Sequence, residues 1–176
     1  MAFLEQLNGF DTSALDVLQR ILLVTDGTLT DTIEAAFSEP ISLHKLESET
    51  RQACCPITEL DLHATETVMT RTVLLLGKYS GAVYVCAKSL LAVDRLPSQL
   101  RQDLLATNIP LGRLWSQHRL ETWKELLSID TTSEVDIAQY FNLSKDCTLL
   151  SRTYRLFSGG RPLMLITEYF PTKYSV

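Results

Sequence analysis

The 176-residue sequence lacks any apolar run approaching the roughly 20 residues that a membrane-spanning helix requires. It also shows no sign of a secretory signal, because Met1 to Asn8 contains Glu5 and no basic cluster. Neither end carries a lipid-anchor motif. We therefore expect a cytoplasmic protein without a membrane span.

Basic residues are too few for a nucleic-acid-binding surface. The chain has 16 Lys and Arg against 21 Asp and Glu, which gives a formal net charge of -5. Domains that bind DNA or RNA usually present a basic face. The charge balance disfavours a nucleic-acid partner, but it allows a local basic pocket for a small anion.

Residues that commonly bind metals are sparse and scattered. There are no CxxC pairs among the cysteines, and the histidines show no zinc-ligand spacing. These residues are Cys54, Cys55, Cys86, Cys147, His44, His63 and His118. We expect no metal site, and we expect reduced thiols as in a reducing compartment.

Helical periodicity occurs in several separate segments, each bounded by capping residues, glycine or proline. For the first helix Asp11, Thr12 and Ser13 offer capping oxygens, while Thr30 and Ser133 would cap the second and last. The predicted helices are Ala14 to Val24, Asp31 to Phe37, Leu96 to Leu105, Leu111 to Gln117 and Ser133 to Phe141. Leu120 to Ile129 fits a helix and a strand about equally.

Two hairpins dominate the strand pattern. One joins Glu66–Leu76 to Ala82–Leu91 across a glycine-bounded turn, and the other joins Cys147–Phe157 to Leu163–Phe170. Ile41 to Leu46 also alternates as a strand, whereas Glu47 to Ala64 is expected to be mostly irregular. The pattern predicts one α+β domain over residues 1–176, with an antiparallel sheet covered on one side by helices.

Four motifs follow one another along the chain. They are the helix and loop Ile21–Thr30, the arginine-containing strand Thr70–Leu75, the Pro-Leu-Gly segment Ile109–Leu114 and the glutamate-containing strand Gly160–Pro171. In this order they resemble the opening helix and loop, the arginine strand, the Pro-Leu-Gly motif and the last strand of the chorismate pyruvate-lyases. The resemblance extends from about Leu15 to Pro171 and is loosest over Glu47 to Ala64. It implies a six-stranded antiparallel sheet with helices packed around it, and it makes Leu120 to Ile129 a strand.

The resemblance also implies an activity. Such enzymes are cofactor-independent carbon-oxygen lyases that convert chorismate to 4-hydroxybenzoate and pyruvate, commonly for ubiquinone or plastoquinone synthesis, and the resemblance suggests a monomer. Carried over by motif, Arg71 would bind a ligand carboxylate and Glu168 would face the ring oxygens where the bond breaks. The backbone at Leu29 and Leu111 would close the pocket around the ring.

The chemistry of Arg71 and Glu168 fits these roles. A guanidinium group suits a planar carboxylate, and an arginine inside a strand needs a partner. That partner is either the ligand or Glu168, and the second case would make the two residues a simple cross-strand ion pair. Glu168 follows an apolar segment, and its role as acid, base or orienting group stays open.

The remaining charged and aromatic residues are given structural roles. We expect Arg113, Arg119, Arg152, Arg155 and Arg161 to be solvated or at sheet edges, although Arg152 or Arg155 could supply a second cation for a dianion. We expect Trp115, Trp123, Tyr154 and Tyr169 to be packing residues.

Two alternatives to this lyase remain. Effector-sensing domains of some bacterial transcription regulators are similar in fold, and Ala138–Pro162 resembles them, so the chain could be a non-catalytic binder of an aromatic acid. Such domains usually follow a basic helix-turn-helix, which Met1–Asp26 is too short and too acidic to form. The chain could also act on a different cyclohexadiene or aromatic acid.

Overall fold

The fold was obtained as a computed structural model that describes residues 10–107, 109–144 and 147–174. The expectation about Met1–Asn8 lies outside these ranges. Within them no helix is long and apolar enough to cross a membrane.

The described chain alternates short helices with six strands. The helices are α1 (Val17–Val24), α2 (Leu29–Phe37), α3 (Ser98–Ala106), α4 (Leu111–Gln117) and α5 (Val135–Ala138). The strands are β1 (Ile41–Gln52), β2 (Thr67–Gly77), β3 (Val83–Ala92), β4 (Trp123–Thr132), β5 (Leu149–Ser158) and β6 (Arg161–Pro171). Single 3-10 turns occur at Thr58–Leu60, Val93–Arg95 and Gln139–Phe141.

The strands form one antiparallel sheet in the order β1-β2-β3-β6-β5-β4. This confirms the six-stranded α+β architecture and both hairpins. The last strand, β6, lies between β3 and β5, so it occupies the middle of the sheet. Residues on β6 therefore face the same cavity as residues from both halves of the chain.

The two hairpin turns depend on glycine. Gly81 ends the β2–β3 turn at φ 68°, and Gly159 and Gly160 lie at φ 56° and 76° between β5 and β6. Residues with a Cβ rarely adopt these angles. The strand pairs predicted around these turns are therefore held in register by turn chemistry that the sequence displays.

Both edge strands of the sheet differ from what the sequence pattern indicates. Strand β1 continues to Gln52 by pairing with β2, so the irregular structure expected from Glu47 begins only after Gln52. A register shift between Lys45 and Glu47 breaks the two-residue alternation there. At the other edge Trp123–Thr132 is a strand, which settles the ambiguous segment in favour of the family resemblance.

Three helix starts also differ from the prediction. Helix α1 begins at Val17, capped by Asp16, whose side chain accepts from the Gln19 backbone while Gln19 bonds back to the Asp16 backbone. Helix α2 begins at Leu29, two residues earlier than expected, which places Thr30 inside the helix. The last helix follows Glu134, without a side-chain cap from Ser133.

Helices cover both faces of the sheet unequally. On the face that holds Val73 and Met69, the four longer helices α1 to α4 contribute two core clusters. On the opposite face, α5 packs against Cys86 and Tyr169. The loop around Leu60 covers the rest of that face. The prediction that helices cover only one side of the sheet is therefore wrong, since α5 packs on the other side. The spacing of its apolar residues predicts a helix but does not show which face of the sheet that helix covers.

Candidate active site

A cavity of about 320 Å³ lies between the sheet and the first turns of α2 and α4. Inward-facing side chains of β2, β3, β5 and β6 form its floor. All four predicted site residues line it: Arg71, Glu168, Leu29 and Leu111. The structure thus brings together in one place residues that are spread over most of the sequence.

Arg71 is a buried cation without a protein partner. It lies in the middle of β2 opposite Ser89 of β3, and only 2% of its surface is exposed. None of its three guanidinium nitrogens has a hydrogen-bond partner among the described residues. Burial lowers the pKa of Arg71 to about 10. Buried donors are nearly always bonded in folded proteins, so this guanidinium group indicates an anion-binding position.

Glu168 lies on β6, also facing the cavity, and its carboxylate is already bonded. Its Oε2 accepts from Nε of Arg152 at 2.6 Å, and its Oε1 accepts from the Tyr154 hydroxyl at 3.0 Å. Strand β3 separates β2 from β6. The alternative of an Arg71–Glu168 ion pair on neighbouring strands is therefore wrong, and Arg71 is left available for a ligand.

Arg152 lies in the interior, and the expectation of a solvated or sheet-edge position is wrong for it. It lies on β5 directly opposite Glu168 and is 2% exposed. Its Nη1 donates to the Thr25 carbonyl at 3.1 Å, while its Nη2 is buried without a partner among the described residues. The other arginines of that set fit the expectation better: Arg113 pairs with Glu34, Arg155 pairs with Glu125, and Arg119 and Arg161 are exposed.

The two predicted loops meet at the mouth of the cavity. Leu29 and Leu111 are the first residues of α2 and α4, so their own backbone N–H groups have no carbonyl within the helix to bond. A Cβ on Gly112 would lie 2.7 Å from Cγ2 of Thr28. Glycine at position 112 therefore allows the two helix starts to touch, which brings both sets of N–H groups beside the same space.

Three cavity residues were not predicted as functional. The sequence pattern assigns Tyr154 and Trp115 to packing and indicates no role for Lys124, yet all three line the cavity. Once Leu120–Ile129 is taken as a strand pairing with β5, Lys124 lies opposite Leu156 and shares the face of Tyr154. The pairing register of β4 with β5 is what would identify Lys124 as a cavity residue. The sequence does not reveal this register, because the segment fits a helix as well as a strand.

Lys124 lines the cavity and, like Arg71 and the exposed Arg119, has no carboxylate bonded to it among the described residues. Its Nζ donates to the Gly27 carbonyl at 3.1 Å and lies 5.3 Å from the centre of the Tyr154 ring. Burial, and then the nearby charge of Arg152, lowers the pKa of Lys124. Burial also raises the pKa of Tyr154 well above its ordinary value, which keeps this hydroxyl a donor to Glu168.

The arrangement is suited to binding an organic anion. Arg71 and Lys124 offer positive charge, Glu168 offers a fixed acceptor, and Val73, Leu75 and Ile166 supply apolar floor for a ring. No group of three His, Cys, Asp or Glu side chains with the geometry of a metal site occurs within the three described ranges. A small ring acid would meet charged groups at its edges and apolar side chains at its face.

Comparison with known proteins connects this chain to an enzyme family. The family model described as Chorismate pyruvate-lyase Rv2949c-like matches residues 23–175. The chorismate pyruvate-lyase of Mycobacterium leprae is 32% identical over 159 residues, covering 89% of this chain and 75% of that protein. The one from Mycobacterium tuberculosis is 31% identical over 157 residues, covering 86% and 78% respectively.

Solved structures share the fold at much lower sequence identity. The effector domain of PhnF from Mycobacterium smegmatis superposes with a TM-score of 0.65 at 12% identity, covering 84% of this chain and 90% of that one. Similarity at this level shows a common fold and leaves the chemistry to be argued from the cavity.

Proposed function

This chain belongs to the Rv2949c-like chorismate pyruvate-lyase family, and from that membership we propose that it converts chorismate to 4-hydroxybenzoate and pyruvate in the cavity described above. The observation that carries the proposal is the buried, unpaired guanidinium group of Arg71 in the same cavity as the fixed carboxylate of Glu168. A folded protein seldom leaves three buried donors unbonded unless a ligand completes them.

The proposed reaction breaks one bond and makes the ring aromatic. The ether bond between the ring and the enolpyruvyl group breaks, and the hydrogen on the adjacent hydroxyl-bearing ring carbon leaves as a proton. The released enolpyruvate takes up a proton and becomes pyruvate. Because aromatisation favours this elimination, the protein must chiefly bind, orient and assist proton transfer, and we infer that it needs no metal or redox cofactor.

Arg71 is proposed to bind the ring carboxylate. Its guanidinium group can donate two parallel charge-assisted hydrogen bonds to a planar carboxylate. The backbone N–H groups at the starts of α2 and α4, next to Leu29 and Leu111, can bond the ligand from the opposite side of the cavity mouth. These donors together would fix the ring in one orientation.

Glu168 is proposed to act at the other end of the ring. Both of its oxygens accept hydrogen bonds, and one donor is a guanidinium group, so its geometry is that of a carboxylate acceptor. We infer that it bonds the ring hydroxyl and takes up the proton from the ring carbon that bears this hydroxyl. This assignment favours a base and orienting role over that of a pre-protonated acid.

The test is to incubate the purified protein with chorismate in buffer containing a chelator and no coenzyme. We expect 4-hydroxybenzoate, separated by chromatography, and pyruvate, measured with lactate dehydrogenase, in equal amounts. Arg71→Met should abolish turnover, because it removes the guanidinium group while keeping an unbranched apolar side chain.

Arg161→Met is the matched control, since Arg161 is exposed at the β5–β6 turn outside the cavity. It should turn over chorismate like the parent. If the folded parent yields neither product, the lyase proposal fails. Saturable 4-hydroxybenzoate binding in that case would instead support a non-catalytic binding domain.

A further inference from the structure

Chorismate carries two carboxylates, and the roles above provide a cation for only one. The second carboxylate is on the enolpyruvyl group, and a site for it rests on the proposed function. Among the described residues that line the cavity, Glu168 is paired with Arg152, whereas Arg71, Lys124 and Arg119 have no carboxylate bonded to them. Arg119 is exposed, so Arg71 and Lys124 are the two less exposed of these positive charges, and a dianion could pair with both.

The two cations approach the cavity from opposite sides. Arg71 is on β2 and Lys124 on β4, which are four strand spacings apart in the sheet order. At about 4.8 Å per spacing, their backbones are roughly 19 Å apart across a flat sheet. Both are long side chains that line the same space. A ring with a carboxylate at each end could bridge them.

A smaller side chamber adjoins the cavity next to Lys124. It has a volume of about 80 Å³ and opens beside Lys124, with Arg152, Tyr154 and Thr25 in its wall. Arg152 is 2% exposed, and its buried Nη2 lacks a hydrogen-bond partner among the described residues. Lys124, Tyr154 and Asp26 line both the chamber and the main cavity, so the two spaces adjoin at these residues. The Asp26 carboxylate forms no ion pair with Lys124 among the described contacts.

We propose that Lys124, with the free Nη2 of Arg152, forms a second anion subsite that binds the enolpyruvyl carboxylate of the substrate. Two donors of this kind would bond one carboxylate from two directions. Arg71 then selects the ring carboxylate, and Lys124 selects substrates with a second one.

A structural role for Lys124 predicts something different. Its stem could simply cover the Tyr154 ring while its ammonium group holds the Gly27 carbonyl. Lys124→Met keeps most of that stem and removes only the charge and the donors. Lys124→Arg keeps the charge. A packing role would therefore tolerate methionine, whereas an anion subsite would tolerate arginine better.

The experiment compares two ligands that differ by one carboxylate. One is 4-hydroxybenzoate, and the other is 3-(carboxymethoxy)-4-hydroxybenzoate, an aromatic ether that cannot undergo the elimination. Dissociation constants are measured by calorimetry for the parent, Lys124→Met, Lys124→Arg and Lys78→Met. Lys78 is an exposed control in the β2–β3 turn, outside both cavities.

We expect the parent to bind the dianion roughly tenfold or more tightly than 4-hydroxybenzoate, as one charge-assisted contact allows. Lys124→Met should lose that advantage and leave the affinity for 4-hydroxybenzoate within about twofold. Lys124→Arg should keep part of the advantage, and Lys78→Met should keep all of it. In turnover, Lys124→Met should raise KM for chorismate more than it lowers kcat.

Two results would overturn the subsite. One is a parent that gains nothing from the second carboxylate, and the other is a Lys124→Met variant that keeps the gain. Either can occur while chorismate is still converted to products, so the failure of the subsite is distinct from the failure of the lyase activity. A chain that binds the dianion through Lys124 but never cleaves chorismate would retain the subsite and reject the lyase.

Discussion

At the scale of single residues, the carboxylate of Glu168 has a structural partner as well as a proposed chemical task. Arg152 and Glu168 are both almost fully buried, and their contact is 2.6 Å. Removing one member of a buried pair typically costs about 3–5 kcal/mol, because the other charge remains without compensation. A loss of activity in Glu168→Ala would therefore mix unfolding with chemistry.

Glu168→Gln separates the two effects. It keeps the side-chain volume and a carbonyl oxygen that can accept from Arg152 or Tyr154, but it cannot take up a proton. We expect kcat to fall by about a hundredfold or more, as for loss of a general base, with 4-hydroxybenzoate binding retained. Steady-state kinetics and calorimetry measure the two quantities.

Urea denaturation of both variants supplies the control for this prediction. Glu168→Ala should lose several times more free energy of unfolding than Glu168→Gln. A Glu168→Gln variant with the turnover of the parent would reject a proton-transfer role and leave Glu168 as a structural partner of Arg152.

At the residue scale, Arg71 and Glu168 could be predicted from the sequence, whereas the positions of Arg152 and Lys124 beside them could not. Arg71 and Glu168 are indicated by the motifs that resemble the chorismate pyruvate-lyases, and a charged residue inside an apolar strand pattern is unusual enough to need a partner. Arg152 and Lys124 lie in segments with several charges, Ser151–Arg155 and Trp123–Glu125, where alternate residues face opposite sides. Which residue of each segment faces inward depends on strand register, and register comes from pairing with distant strands.

At the scale of elements, the cavity mouth depends on the contact between the starts of α2 and α4. A Cβ at position 112 would lie 2.7 Å from Cγ2 of Thr28, closer than packed carbon atoms approach. Thr28 is β-branched and cannot move that methyl group without changing its rotamer. Gly112→Ala should therefore push the two helix starts apart.

We expect Gly112→Ala to lower kcat/KM by roughly tenfold to a hundredfold, because small displacements of positioning groups are costly to catalysis. Thr28→Ser removes the obstructing methyl group, so the double variant Gly112→Ala/Thr28→Ser should recover most of the loss. Thr28→Ser alone is the matched control. If Gly112→Ala behaves like the parent, the contact does not set the geometry of the mouth.

Element boundaries also show where local patterns stop being informative. Both hairpins and helix α4 were predictable, because glycine turns and Pro110 mark them in the sequence. The extension of β1 beyond Leu46 was not, since the register shift at Lys45 and Glu47 disrupts the alternation and the strand end is polar on both faces. Pairing with β2 supplies the stability that the local sequence does not indicate.

At the scale of the whole molecule, the buried charge of Arg71 should be a burden on the unliganded fold. It lies in the middle of the second strand, covered by helices, with no bonded partner among the described residues. Burial lowers the pKa of Arg71 to about 10, well below its ordinary value, which corresponds to a cost of roughly 3 kcal/mol for carrying the charge there. A ligand carboxylate would offset that cost, so ligand binding and stability should be coupled through this residue.

Arg71→Met tests the coupling. Because methionine fills similar space without donors, the free energy of unfolding without ligand should rise by about 1–3 kcal/mol, the usual cost of a buried unsatisfied polar group. With 4-hydroxybenzoate at about 100 times its dissociation constant, the parent should gain about 2.7 kcal/mol, and Arg71→Met should gain nothing. Urea denaturation with and without ligand measures both changes, and Arg161→Met should stay within about 0.5 kcal/mol of the parent in each. An Arg71→Met variant less stable than the parent would mean that the guanidinium group supports the empty fold, and the argument that its unbonded donors await an anion would fail with it.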